Sequence, residues 1–319
     1  MNSALAFTRP PPALLVEPQV RAALEEDLGR AGDITSQLTV AQDATATARL
    51  VARKPGRIAG LIAAEIAFRL VDPQLAFAVS VPDGADAAPG DVLATISGSA
   101  RNILTAERVA LNFLGPLSGT ATATSALVKA VEGTSARIVC TRKTLPGLRL
   151  LQKYAVRCGG GFNHRFGLDD AAMVKDNHIA AAGGIAQALE RLRAGLGHMV
   201  SIEVEVDSLV QLEESLAAGA NVILLDNMKL DDLKRAVVMA KGRAVLEASG
   251  NITLESVRTI AETGVDYISS GALTHSAPNL DIGWVSDFRR RQPRAPHASG
   301  CFREPTPEAI RPANQDFGL

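Results

Sequence analysis

Residues 200–226 read VSIEVEVDSLVQLEESLAAGANVILLD. A β-rich run, Val200-Ser-Ile-Glu-Val, ends in Glu205. A helical stretch over Ser208–Ala218 follows, and a second apolar run, Asn221-Val-Ile-Leu-Leu, ends in Asp226. The segment is strand, helix, strand, with a carboxylate at the end of each strand. The same rhythm extends in both directions. Upstream, Ala136-Arg-Ile-Val-Cys-Thr ends in Arg142-Lys143 and Ala171-Ala-Met-Val ends in Lys175-Asp176. Downstream, Ala244-Val-Leu-Glu-Ala ends in Ser249-Gly250 and Asp266-Tyr-Ile-Ser ends in Ser270-Gly271. Further helices are predicted at Leu148–Arg157, Ile185–Ala194, Leu230–Ala240 and Leu254–Thr263. Short strands alternating with helices predict an α/β fold with a parallel sheet. Barrels of this kind build their active sites at the C-terminal ends of the strands. The marked strand ends are therefore expected to converge on one mouth.

Outside this region the pattern changes. Residues 1–18 form an unpatterned, Pro-rich arm, and Pro18–Leu28 reads as a short helix ending at Gly29. Ala44–Leu61 reads as paired strands around a Lys54-Pro55-Gly56 turn, and Phe77–Gly98 as two more strands. A long helix is predicted from Asn102, with a break or kink at Gly115-Pro116 and a resumption through Ala126. The segment Asp281-Ile-Gly-Trp284 is placed to return to the first module. The expected division is an arm (1–18), a small α/β module (19–118), a barrel domain (119–288) and a basic, then Pro-rich tail (289–319). The tail lacks a core-forming pattern and is expected to be mobile.

The 319 residues carry 33 Lys plus Arg against 34 Asp plus Glu. That balance argues against a nucleic-acid partner, which calls for a basic excess. No apolar stretch is long enough for a membrane span, and the N-terminus lacks a signal-peptide pattern. Cys140, Cys158 and Cys301 are odd in number and unpatterned, which points to a reduced, cytoplasmic protein.

The most biased window runs from Gly133 to Leu168. It has no Asp or Glu, yet holds Arg137, Arg142, Lys143, Arg149, Lys153, Arg157, His164 and Arg165. Arg149, Lys153 and Arg157 fall at i, i+4 and i+8 and read as a solvated helix face. Arg142 and Lys143 end a strand, while His164 and Arg165 follow Gly159-Gly160-Gly161, where the backbone can fold over a cavity. Arginine forks match carboxylate or phosphate in a bidentate way, so this group calls for a polyanionic ligand. The Ser249-Gly250-Asn251-Ile252-Thr253 run, leading directly into a predicted helix, and Ser270-Gly271-Ala272 suit phosphate binding in late barrel loops. Glu205 and Asp226 suit Mg²⁺ held beside phosphates, or sugar hydroxyls, or an ion pair with Lys175 or Arg142. Glu203 shares a strand face with Glu205, and spacing does not choose between them. Lys175 allows a Schiff-base reading, but its charged neighbours favour anion recognition. The histidines lack metal-ligand spacing, and Cys140 reads as packing.

These residues resemble a known family. Thr105-Ala-Glu-Arg-Val-Ala-Leu-Asn-Phe-Leu, Cys140-Thr-Arg-Lys-Thr, Gly159-Gly-Gly-Phe-Asn-His-Arg, Met173-Val-Lys-Asp-Asn-His, Glu203-Val-Glu-Val, Leu225-Asp-Asn and Ser249-Gly-Asn resemble the quinolinate phosphoribosyltransferases. The resemblance runs in order from about Glu26 to Trp284. It implies an N-terminal α/β sandwich, an incomplete (β/α) barrel carrying the active site, and a homodimer whose sites borrow from the partner. It also implies the reaction: quinolinate and phosphoribosyl pyrophosphate (PRPP) give nicotinate mononucleotide, pyrophosphate and CO₂, with Mg²⁺ as cofactor. Carried over by position, Arg108 crosses to the partner's site. Arg142, beside Thr141, together with His164 and Arg165, binds the quinolinate carboxylates. Lys143 and Lys175 line the junction with the phosphoribosyl group. Glu205 and Asp226 serve ribose and metal. The loops Ser249-Gly250-Asn251 and Ser270-Gly271-Ala272 hold the 5′-phosphate.

Overall fold

The computed structural model describes residues 9–289. The first eight residues and the tail from residue 290, with Cys301 and His297, lie outside the described residues.

The chain opens with helices α1 (Ala13–Leu28) and α2 (Ile34–Thr39). Strand β1 (Thr45–Ala52), the two-residue β2 (Gly56–Arg57), helix α3 (Leu61–Val71) and strands β3 (Ala76–Val79), β4 (Asp86–Ala87) and β5 (Val92–Ser99) follow. β1 alternates buried and exposed residues, as a strand with one covered face must. Four elements of the sequence reading change here. α1 starts at Ala13 rather than Pro18 and runs through Pro18. β2 pairs with β4 and not with β1, so the Lys54-Pro55-Gly56 turn closes no hairpin. Residues 61–71 are helical, with Leu61, Ala64 and Phe68 buried along one face. Gly60 enters this helix at φ +105°, which favours glycine, and Asp83 accepts hydrogen bonds from the backbone N–H groups of Gly60 (3.1 Å) and Leu61 (3.2 Å). That cap comes from over 20 residues away, so no local pattern announces it. α2, capped by Asp33, is also new.

Helix α4 (Ala100–Ala130) is continuous; the expected break at Gly115-Pro116 is absent. Pro116 removes one backbone donor, but the surrounding turns are fixed by tertiary contacts. The Gly115 carbonyl accepts from the Leu280 N–H at 3.0 Å, and the Ser118 hydroxyl bridges the Ala59 backbone at 3.1 Å. Leu114 and Leu117 belong to one hydrophobic core and Leu127 to a second, so α4 ties the two together.

The second core surrounds the βα repeats. These are β6 (Arg137–Val139), α5 (Arg149–Cys158), β7 (Ala171–Val174), α6 (Asp176–Ala182), α7 (Ile185–Gly195), β8 (Ser201–Val206), α8 (Leu209–Ala217), β9 (Val222–Asp226), α9 (Leu230–Ala240), β10 (Val245–Ser249), α10 (Val257–Ala261), β11 (Tyr267–Ser269) and α11 (Ala272–His275). The six strands pair in parallel in the order β6-β11-β10-β9-β8-β7, an incomplete barrel whose edge strands are consecutive in sequence. α10 is shorter than predicted and begins at Val257, so a loop separates Ser249-Gly250-Asn251 from it. The last strand, β12 (Ile282–Arg289), leaves the barrel and pairs antiparallel with β1, completing the first sheet as β12-β1-β5-β3. None of the described helices is long and apolar enough to cross a membrane.

Candidate active site

A cavity of about 370 Å³ opens at the C-terminal ends of the parallel strands. All six strands contribute. Thr141, Arg142 and Lys143 follow β6; Lys175 follows β7; Glu205 lies in β8; Asp226 ends β9 and Ser249 ends β10. His164 and Arg165 come from the loop after α5. Residues from both edge strands share one cavity, which shows that the sheet curls nearly into a ring.

Four lining residues were not anticipated: Met173, Leu224, Glu247 and Ser269. Met173, Leu224 and Glu247 stand two positions before Lys175, Asp226 and Ser249. The two-residue period of a strand puts such pairs on one face, and that signal was available. Conversely, Arg108, Gly250, Asn251, Ser270, Gly271 and Ala272 do not line this cavity. The glycine loops stand at its rim. A Cβ on Gly250, at φ +102°, would lie 2.2 Å from Asn227 Oδ1, and one on Gly271 would lie 2.9 Å from Lys143 Cδ. Arg108 projects from α4 beside Leu111 and Asn112, exposed and away from its own chain's cavity.

The cavity's electrostatics are unbalanced at one end. Arg142 Nε is buried with no hydrogen-bond partner. Arg165 spends one donor on the Ala171 carbonyl at 3.0 Å. Burial and the facing charge of Arg142 lower the pKa of the Arg165 guanidinium. Two cations held this close call for an anion between them. At the other end Lys175 Nζ pairs with Glu205, while Asp226 accepts from Asn227 Nδ2 at 2.9 Å. Of the two glutamates that spacing left open, Glu205 lines the cavity and Glu203 does not.

Glu203 lies deeper. It is buried and accepts from His164 Nε2 at 2.9 Å. His164 Nδ1 accepts the Arg165 N–H at 2.7 Å. Burial opposes charge on this ring, but the Glu203 hydrogen bond and the Glu247 charge outweigh it and raise its pKa. His164 lines the cavity beside Arg165, with its ring held between Glu203 and the Arg165 N–H.

The solvated-face reading of α5 is also overturned. Lys153 is fully buried; its Nζ donates to the His164 carbonyl at 2.8 Å and to Cys140 Sγ at 3.1 Å. Arg157 covers the Phe162 ring at 4.8 Å and donates to the Gly161 carbonyl at 2.8 Å, and Arg149 donates to the Phe166 carbonyl at 2.9 Å. The three cations lie under the 162–166 loop and pin it from below. Cys140 is buried, and beyond packing its Sγ accepts from Lys153 and donates to Asn163 Oδ1 at 3.4 Å.

A curled parallel sheet that points unpaired arginines and two carboxylates into one hollow belongs to an enzyme of polyanionic substrates. The comparisons make this specific. Residues 33–118 match the quinolinate phosphoribosyl transferase N-terminal domain, and residues 120–285 match the C-terminal domain. A nicotinate-nucleotide pyrophosphorylase [carboxylating] of Mycobacterium leprae is 49% identical over 274 residues, covering 83% of this chain and 94% of that one. A quinolinate phosphoribosyltransferase [decarboxylating] of Nicotiana tabacum is 41% identical over 307 residues, covering 90% and 87%. The solved nicotinate-nucleotide pyrophosphorylase of Francisella tularensis superposes with a TM-score of 0.84 at 41% identity, covering 88% and 99%. The chain belongs to the quinolinate phosphoribosyl transferase family.

Proposed function

We infer that the chain transfers the phosphoribosyl group of PRPP to the ring nitrogen of quinolinate, with decarboxylation, in NAD biosynthesis. The products are nicotinate mononucleotide, pyrophosphate and CO₂. The observation that carries this reading is the Arg142–Arg165 pair, two half-exposed guanidinium groups that repel each other at one end of the cavity, with Arg142 Nε buried and unpartnered. Two adjacent carboxylates on one pyridine ring match the two facing guanidinium groups.

The chain's own groups act mainly by orientation and charge. Arg142 and Arg165 hold the diacid so that its ring nitrogen faces the ribose anomeric carbon. Lys143 and Lys175 stand at the junction and stabilise the departing negative charge. Glu205 and Asp226 support the cation-like sugar through its hydroxyls. They are hard oxygen donors on neighbouring strands, and two carboxylates plus substrate phosphates form a donor set that suits Mg²⁺. Bound there, Mg²⁺ would neutralise the leaving pyrophosphate. The Ser249-Gly250-Asn251 and Ser270-Gly271-Ala272 loops at the rim are placed for the 5′-phosphate. Arg108, exposed and remote from its own cavity, fits the role of reaching into a homodimer partner's site. The buried free thiols Cys140 and Cys158 support a cytoplasmic setting. The Schiff-base alternative finds little support, because Lys175 is engaged with Glu205 rather than set in an apolar pocket.

The test is product formation from quinolinate, PRPP and Mg²⁺, with nicotinate as control. Nicotinate mononucleotide with stoichiometric CO₂ is expected from quinolinate alone; equal turnover of nicotinate overturns the reading. Asp226→Ala should raise the Mg²⁺ concentration for half-maximal rate by about tenfold or more. A Mg²⁺ titration matching the wild type removes Asp226 from that role.

A further inference from the structure

Beneath the arginine end of the cavity lies a cluster that the reaction as described leaves without a task. His164 Nε2, Glu203 and Glu247 present ligand atoms within 4.8 Å of one another. Both carboxyl groups are over nine-tenths buried, at 8% and 7% side-chain exposure. Glu247 is the member that lines the cavity. Its Oε1 is buried without a hydrogen-bond partner, 3.8 Å from His164 Nε2, whose proton already goes to Glu203. Ser269, also lining the cavity, brings its hydroxyl close to Glu247 without a well-formed hydrogen bond.

Two buried carboxyl groups this close do not both ionise readily; one keeps a proton. The environment decides which one. Glu203 is the partner of His164 Nε2, at 2.9 Å. Glu247 receives no hydrogen bond from the ring, and burial plus the Glu203 charge push its pKa up to about 7, against the pull of His164 and of the nearby Ser269 hydroxyl. The other charges near the cluster are Lys153, under His164, and the cavity arginines Arg142 and Arg165. The ligand supplies a further reason for a neutral Glu247. An ionised carboxylate in the floor would repel a bound diacid, whereas a carboxylic acid does not.

Building on the activity inferred above, we propose that Glu247 is the general acid that protonates the pyridine ring carbon vacated by CO₂. The balance is complete within the site. After the ring nitrogen has been ribosylated, the bond between the adjacent ring carbon and its carboxylate breaks. The electron pair stays on the ring carbon beside the positive nitrogen, and CO₂ departs. The Glu247 proton moves to that carbon in the same step as the C–C bond breaks, so CO₂ release depends on the acid. A C–H bond forms and a carboxylate is left, which regains a proton from water after product release. Nothing else is oxidised or reduced. Glu203 and His164 are positioning residues: Glu203 engages the His164 ring at 2.9 Å, which leaves Glu247, 3.8 Å from that ring, facing the cavity.

Single-turnover reactions that follow pyrophosphate and CO₂ separately test this. In the wild type the two should appear together. In Glu247→Gln, an isostere without an acid proton, CO₂ release should lag pyrophosphate release by about tenfold or more, within the range general acids contribute. Glu247→Asp should recover part of the loss. Wild-type CO₂ release should also fall on the alkaline side between about pH 6 and about pH 10, approaching about tenfold per pH unit, a limb Glu247→Gln lacks. The wild-type profile stands even if the variant fails to fold. Three results overturn the proposal: CO₂ release in Glu247→Gln within twofold of the wild type, a flat wild-type profile over that range, or a stoichiometric divalent ion in the His164–Glu203–Glu247 cluster. If the wild type releases neither pyrophosphate nor CO₂, the parent reading fails instead.

Discussion

Arg142→Ala should lower kcat/KM for quinolinate by about two to three orders of magnitude. Charge-assisted hydrogen bonds are worth about 1.5–3 kcal/mol each, and a guanidinium fork makes two of them. Each factor of ten in affinity is about 1.4 kcal/mol, so losing the fork costs at least two decades. Most of the loss should appear in KM, with a smaller fall in turnover as the ring nitrogen loses its alignment. Arg142→Lys keeps the charge without the planar fork and should fall between. The unliganded protein should respond in the opposite direction. Arg142 and Arg165 repel each other without an anion, so Arg142→Ala should hold or raise the melting temperature of the free protein while abolishing the rise that quinolinate produces. Steady-state kinetics and thermal melts with and without quinolinate check both halves. Unchanged kcat/KM, or a large loss of stability without ligand, removes Arg142 from the assigned role.

Gly119→Ala should be the most damaging small substitution away from the cavity. Gly119 lies inside α4, where alanine would ordinarily be the better residue. Here a Cβ would fall 2.1 Å from the Pro278 carbonyl oxygen and 3.2 Å from Asn279 Cα, both backbone atoms that no rotamer change can move. The 278–280 segment carries the chain from the barrel back to the first sheet, and Leu280 is bonded to Gly115 one turn away. Relief of the clash must displace that segment, so about 3 kcal/mol or more of stability should be lost. Gly195, at the end of α7, has nothing within 4 Å of its Cβ position. Gly195→Ala should be neutral or stabilise by up to about 1 kcal/mol. Denaturant unfolding of both variants is the measurement, and comparable effects at the two sites would mean that the close approach to Pro278 carries no weight.

The barrel was legible because its strands end where their chemistry changes. Arg142, Lys175, Glu205, Asp226 and Ser249 each mark the point where an apolar run gives way to the cavity, and all five line it. Charge pattern alone misled at α5. Arg149, Lys153 and Arg157 have the spacing of a wet face, but the 162–166 loop folds over them. The clue was aromatic: Phe162 and Phe166 follow the glycines and supply the faces on which Arg157 and Lys153 rest. α3 was missed because its cap, Asp83, comes from a distant turn. Pro116 misled because local rules cannot weigh a helix clamped between two cores. Glu203, Glu247 and His164 were each visible, but only the pairing of β8, β9 and β10 brings the two glutamates to one ring.

The return of β12 to β1 bears on how the protein is made. During translation the first sheet has β1, β5 and β3 in hand early, yet one side of β1 stays open until residues 282–289 emerge. An open strand edge invites pairing with other chains. The nascent protein must keep that edge guarded while the entire barrel is synthesised, and one of the last described segments to leave the ribosome closes the first-formed layer.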